Sequence, residues 1–338
     1  GARARVRANR SHEHPGGRVS RIPAIVAGLF VAFTAVVMSF AQAPSPVTAF
    51  KGRLATKAPL LALTPIGPRL VAVGDFGVIL LSDDAGATWR QAESVATRNM
   101  LTAVTFADAN RGWAVGQGGT VLHTADGGQN WALQTAAGDD VALLSVWFEN
   151  ASHGIAVGAF GHAIETNDGG RTWKQLTVGA GDDRDRHLNG IFAALNGPLY
   201  IAAESGTVFR STDNGKTWVT LRLPYSGSVW GGVPLRDGNA IVYGMRGHVL
   251  HTADQGRTWS EVSTGADQSF SGGVQLSDGT VALAGLGGVV ARSSDGGRSF
   301  TSTVRPERQN YAAVAAGAPG RLVLVGLTGV AAVDLSIK

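Results

Sequence analysis

From residue 60 onward the chain is written in short apolar runs of four to six residues, each bounded by Gly-, Asp- or Ser-rich stretches. Residues 60–63, 70–73 and 78–81 are such runs, and a fourth segment opens at Trp89. Runs this short, ended by turn residues, predict β-strands. The grouping then repeats: residues 101–106, 112–116, 121–123 and 131–134 follow, and further groups open near Leu143, Leu188, Val229 and Phe270. The last group holds three runs, 312–315, 322–325 and 330–333. Nothing in this region has the 3.6-residue period of a long amphipathic helix.

The turns between the runs repeat as well. Residues 166–173 read Thr-Asn-Asp-Gly-Gly-Arg-Thr-Trp, and the pattern returns at 82–89, 124–131, 211–218, 252–259 and 293–300. Each copy starts with Ser or Thr, carries an acid at the third position (Asp84, Asp126, Asp168, Asp213, Asp254, Asp295) and Gly at the fifth, and ends in an aromatic. The acid is expected to accept backbone N–H groups of its own turn. The glycine supplies a positive φ, and the aromatic buries a flat surface against a neighbouring sheet.

A second series, Gly-x-x-Gly, runs in phase with the first. Its second glycines stand at 77, 119, 161, 206, 247, 288 and 329, with Ala203 replacing the first glycine of the fourth copy. Seven units of just over 40 residues, each of several short strands, predict an all-β, seven-bladed β-propeller with four-stranded antiparallel blades. The last unit lacks a fourth strand, and residues 47–54 offer one to spare. The expected layout is a linker and closing strand over 42–58 and the propeller over 59–338. A closing ribbon would remove open sheet edges.

Residues 1–21 are basic, 22–40 are uncharged and apolar, and 39–43 are mostly small. That order predicts an export signal over 1–41, either cleaved after Ala41 or kept as a membrane anchor. This stretch holds 6 of the 29 basic residues and 1 of the 25 acids, leaving 23 basic against 24 acidic. The basic character thus belongs to the leader and gives no support to nucleic-acid binding. With no Cys, an exported chain suits a periplasm or thylakoid lumen.

In a four-stranded blade the acidic turns share one face. The Gly-x-x-Gly turns and the inter-blade connections share the other, where loop variation concentrates. Arg98, Arg184, Arg186, Arg222, Arg246, Arg305 and Arg308 map to that second face. Together they are the candidate docking patch for an acidic segment of a partner, with Asp182, Asp183 and Asp185 as local counter-charges.

The acidic turns match the bacterial neuraminidase repeat, or Asp box. Their regular occurrence in phase with the seven units, with Gly-Trp-Ala-Val-Gly at 112–116 and Arg246-Gly247 in the fifth unit, resembles the photosystem II stability/assembly factor family and its non-photosynthetic bacterial relatives. The resemblance implies a non-enzymatic scaffold on the lumenal or periplasmic side that assists assembly of a membrane protein complex through an arginine patch; the chain is expected to be monomeric and to need no cofactor. Two alternatives stay open: an accessory periplasmic protein of a resistance–nodulation–division exporter, and an Asp-box glycoside hydrolase or carbohydrate-binding propeller. For hydrolysis, Asp75 and Glu204 are the candidate carboxylates, but their blade phase sets them nearly across the ring, too wide for that chemistry. His123, His162, His248 and His251 fall at repeated positions without ligand spacing, so no metal is expected. Trp113 and Trp147 are expected in the core, and Trp230 in the central channel.

Overall fold

The computed structural model describes residues 47–335, so the stretch expected to direct export lies outside the described residues. Seven sheets follow one another along the chain. The third is representative, with strands Leu143–Phe148, Gly154–Gly158, Ala163–Thr166 and Lys174–Gln175 joined as an antiparallel meander. The others open at Leu60, Leu101, Leu188, Val229, Phe270 and Tyr311. The second gains a fifth strand, Ser94–Val95, lying parallel to Asn130–Thr135.

The first strand of every sheet carries a β-bulge at its second residue. A bulge re-aims one side chain out of the alternating pattern. Here it turns Leu61, Thr102, Leu144, Asn189, Trp230, Ser271 and Ala312 into one central channel, a cavity of about 330 Å³. Three of these residues also tie neighbouring blades. Thr102 Oγ1 donates to the Leu143 carbonyl at 2.7 Å, Asn189 Nδ2 to Val229 at 2.8 Å, and Ser271 Oγ to Tyr311 at 2.5 Å.

The core lies between sheets. Each aromatic that ends an acidic turn packs against the preceding blade: Trp131 beside Val71 and Leu81, Trp173 beside Val115, Trp218 beside Ile155, Trp259 beside Tyr200, and Phe300 beside Ile241. Trp89 does the same against Ala315 and Val323 of the seventh sheet, so the first and last sheets meet face to face. Trp113 is fully buried and stacks on Phe148 at 3.5 Å between centroids.

One expectation is corrected. Residues 47–54 form no strand, and the seventh sheet has three strands among the described residues, Tyr311–Ala316, Arg321–Gly326 and Gly329–Asp334. The backbone groups a ladder would need are taken elsewhere. Gln91 Nε2 donates to the Phe50 carbonyl at 2.7 Å and Gln91 Oε1 accepts the Gly52 N–H at 3.1 Å. Arg98 Nε donates to the Thr48 carbonyl at 2.8 Å, and the Ala49 N–H to Val95 at 2.9 Å. The segment therefore lies on the junction of the first two blades, and only the short 3₁₀ turn Ala55–Lys57 approaches the last strand.

Candidate loop-face docking site

The two turn series stand on opposite faces, as their contacts show. The acidic turns meet the first hairpin of their own blade: the Gly169 N–H donates to Ser152 at 2.8 Å and that of Gly127 to Asn110 at 2.9 Å. The Gly-x-x-Gly turns meet the inter-blade connections instead, Gly161 N–H donating to Arg186 at 2.8 Å and Gly206 N–H to Gly227 at 2.7 Å.

Each acidic turn is a closed hydrogen-bond unit. In the third blade Thr166 Oγ1 donates to Asp168 at 2.9 Å and accepts the Gly170 N–H at 2.8 Å, while Asp168 accepts the Thr172 N–H at 2.9 Å and its hydroxyl at 2.7 Å. The fifth-position glycines all have positive φ. Donation from Thr88, Thr172, Thr217 and Thr258 holds the carboxyls of Asp84, Asp168, Asp213 and Asp254 at about 2, well below the usual carboxylate range. Asp295 is depressed further, led by Ser293. For Asp126 partial burial pushes upward, but bonds from Asn130, Thr124 and Gln129 outweigh it. These six acids are spent on turn structure.

The seven arginines on the other face divide into two groups. Arg222 donates from Nη2 to both oxygens of the buried Asp183, at 2.6 and 2.7 Å, and Arg186 Nε donates to the same carboxylate at 2.6 Å. Arg222, then Arg186, holds the Asp183 carboxyl below its ordinary value. Arg305 pairs with Glu307. Arg98 lies over the Phe50 ring, 3.8 Å from its centroid, a cation–π contact. Arg184, Arg246 and Arg308 are exposed, and among the described residues their guanidinium groups have no carboxylate partner. The spacing of the repeats located the face, but not which cations are already consumed.

Aromatic and histidine pairs on this face went unread in the sequence. Phe160 stands 4.6 Å from the His187 ring, and Tyr225 stacks on His248 at 3.9 Å. His248 also meets Glu261. Burial pushes His123, His162 and His251 down, and among the described residues no group of three His, Asp or Glu is placed to hold a metal. Asp75 Oδ1 accepts the Phe76 N–H at 2.8 Å and Glu204 Oε1 the His187 N–H at 3.0 Å. Neither lines the channel, and among the described residues none that lines it is a carboxylate. Trp230 does line it, where the repeat phase put it.

Seven sheets around a channel, with self-bonded acidic turns on one face and variable loops on the other, define a propeller of Asp-box repeats. The chain belongs to the photosystem II assembly factor family, since the profile described as "Photosynthesis system II assembly factor YCF48" matches residues 68–136 and 133–327. Solved structures agree on the fold. A YCF48 bound to a D1 peptide is 20% identical with a TM-score of 0.68, covering 86% of this chain and 99% of that one. The YCF48 from Cyanidioschyzon merolae is 17% identical with a TM-score of 0.65, covering 82% and 95%. A streptogramin B lyase is 10% identical with a TM-score of 0.69, covering 81% and 93%. No curated protein matches the chain.

Proposed function

We propose that this chain is an exported, non-enzymatic binding scaffold whose loop face holds an acidic segment of a membrane protein while its complex is assembled. The observation that carries the reading is the set of exposed arginines whose guanidinium groups meet no hydrogen-bond, carboxylate or ring partner among the described residues, Arg184, Arg246 and Arg308, on the variable face of a family member. An unpaired guanidinium presents a planar fork that matches a carboxylate bidentately. A peptide bound to a related YCF48 supports the same use of the scaffold. Asp75 and Glu204, the carboxylates a hydrolase reading would use, lie outside the described lining of the channel.

The test separates spent cations from free ones. Reversing Arg184, Arg246 and Arg308 to Glu should abolish co-purification of the membrane partner and leave the unfolding midpoint unchanged. Arg222→Glu serves as the contrasting variant: it removes two of the hydrogen bonds to the buried Asp183, sets a like charge beside it and should lower the midpoint. Retained co-purification by the triple variant would refute the docking role of these arginines.

A further inference from the structure

The tips of the Gly-x-x-Gly turns hold an oddity that repeats around the ring. The residue just before the second glycine is in the left-handed region in six blades: Phe76 (φ 52°), Gly118 (70°), Phe160 (53°), Ser205 (54°), Arg246 (55°) and Gly287 (64°). The backbone there favours glycine, and blades two and six supply it. A bulky side chain in that region is strained. Phe76 and Phe160 accept the strain and yet bury little in return, being 61% and 72% exposed. The Phe76 N–H bond to Asp75 and the Phe160 contact with His187 hold the tips, but the fold gains little from a ring so exposed on a strained tip, and strain of this kind is a mark of function.

The backbone of each of the two tips also packs on a connection that carries an exposed arginine, Arg98 (held over Phe50) for Phe76 and Arg184 for Phe160. The Phe76 tip packs on the connection carrying Arg98: a Cβ added to Gly77 would collide with the Thr97 carbonyl. The Phe160 tip packs on the connection carrying Arg184, whose carbonyl would collide with a Cβ at Gly161. In blade five the tip residue is itself a cation, Arg246. The same turn position thus offers an exposed aromatic on a tip that abuts an arginine-bearing connection twice, and an exposed arginine once.

We propose that Phe76 and Phe160 are the apolar anchors of the loop face, holding a peptide segment in which an apolar side chain stands next to a carboxylate. The proposal rests on the binding-scaffold reading above and deepens it. Aromatic residues dominate interface energetics out of proportion to their number, while the flanking arginines select for the acid.

The probe is an array of synthetic 12-residue peptides that pair Leu or Phe with Asp or Glu at varied spacing, beside all-apolar and all-acidic controls. The wild-type chain should bind the mixed peptides above both controls. Phe76→Gly and Phe160→Gly should each weaken that binding about tenfold or more. Since glycine suits the left-handed tip, both variants should keep the wild-type unfolding midpoint or raise it by roughly 1–4 °C. Loss of binding together with a fallen midpoint would mark the rings as structural and overturn the proposal. Wild-type binding that survives both substitutions would overturn it while leaving the scaffold reading intact. No binding by wild type to any mixed peptide would overturn both. Flotation with anionic vesicles or dimerisation in sedimentation that depends on the two rings would reassign the surface to a bilayer or to a second copy, and would also overturn it.

Discussion

The Thr166 hydroxyl does two jobs at once, accepting the Gly170 N–H and donating to Asp168. The side chain is buried, so water cannot replace either bond. Thr166→Val keeps the shape and removes the hydroxyl, leaving a buried amide without its acceptor. We expect a loss of about 1–3 kcal/mol, read as a fall in the midpoint of chemical or thermal unfolding. The carboxylate at the third position gives a second expectation. Asp84, Asp168, Asp213 and Asp254 titrate at about 2 in the folded chain and near 3.9 when unfolded. Between those values the unfolded chain binds more protons, so lowering the pH favours unfolding. Their stabilisation is fully present above pH ~4 and is lost as pH falls toward ~2. Midpoints measured against pH should stay level above ~4 and drop below it, and Asp168→Asn should make that drop shallower. A profile with the same slope for wild type and variant would remove Asp168 from the account.

At the scale of strands and turns, much was legible and the reasons for the rest are physical. Strand starts at Leu143, Leu188, Val229 and Phe270 follow from apolar runs set in a fixed phase with glycine turns, and the structure places strands there. Pattern reports which residues fit a pleated ladder, but not which neighbour claims the backbone groups. Residues 47–54 fit well enough, yet Gln91 and Arg98 take the carbonyls and amides that pairing requires. The arginines show the same limit. Asp183 lies three residues from Arg186, a spacing that suggests a pair, whereas Arg222 reaches it across 39 residues and only the folded blade reveals the contact. The strained phenylalanines did leave a readable sign. Phe76 and Phe160 occupy the slot that Gly118 and Gly287 fill in other blades, so comparing repeats within the one chain marks them as variable residues of that face, while their backbone strain shows only in the fold.

At the scale of the whole molecule, the sheets are joined by packing rather than by a shared ladder. Leu70 of the first sheet sits in one buried cluster with Ala315 and Val323 of the seventh, and Leu60, Ala72 and Leu80 meet Val325 in another. An interface of this kind depends on apolar volume. Leu70→Ala should therefore cost about 2–5 kcal/mol through lost transfer energy and the cavity left behind. Truncation to Arg53 removes the chain that carries Thr48, Ala49, Phe50 and Gly52, whose hydrogen bonds lie at the junction of blades one and two. It leaves both clusters untouched, and should cost less than Leu70→Ala. Paired denaturant titrations of the two variants check the order. If truncation proves the more damaging, the segment before Arg53 contributes more to the ring than its contacts show, and packing between the first and last sheets is not what chiefly holds them together.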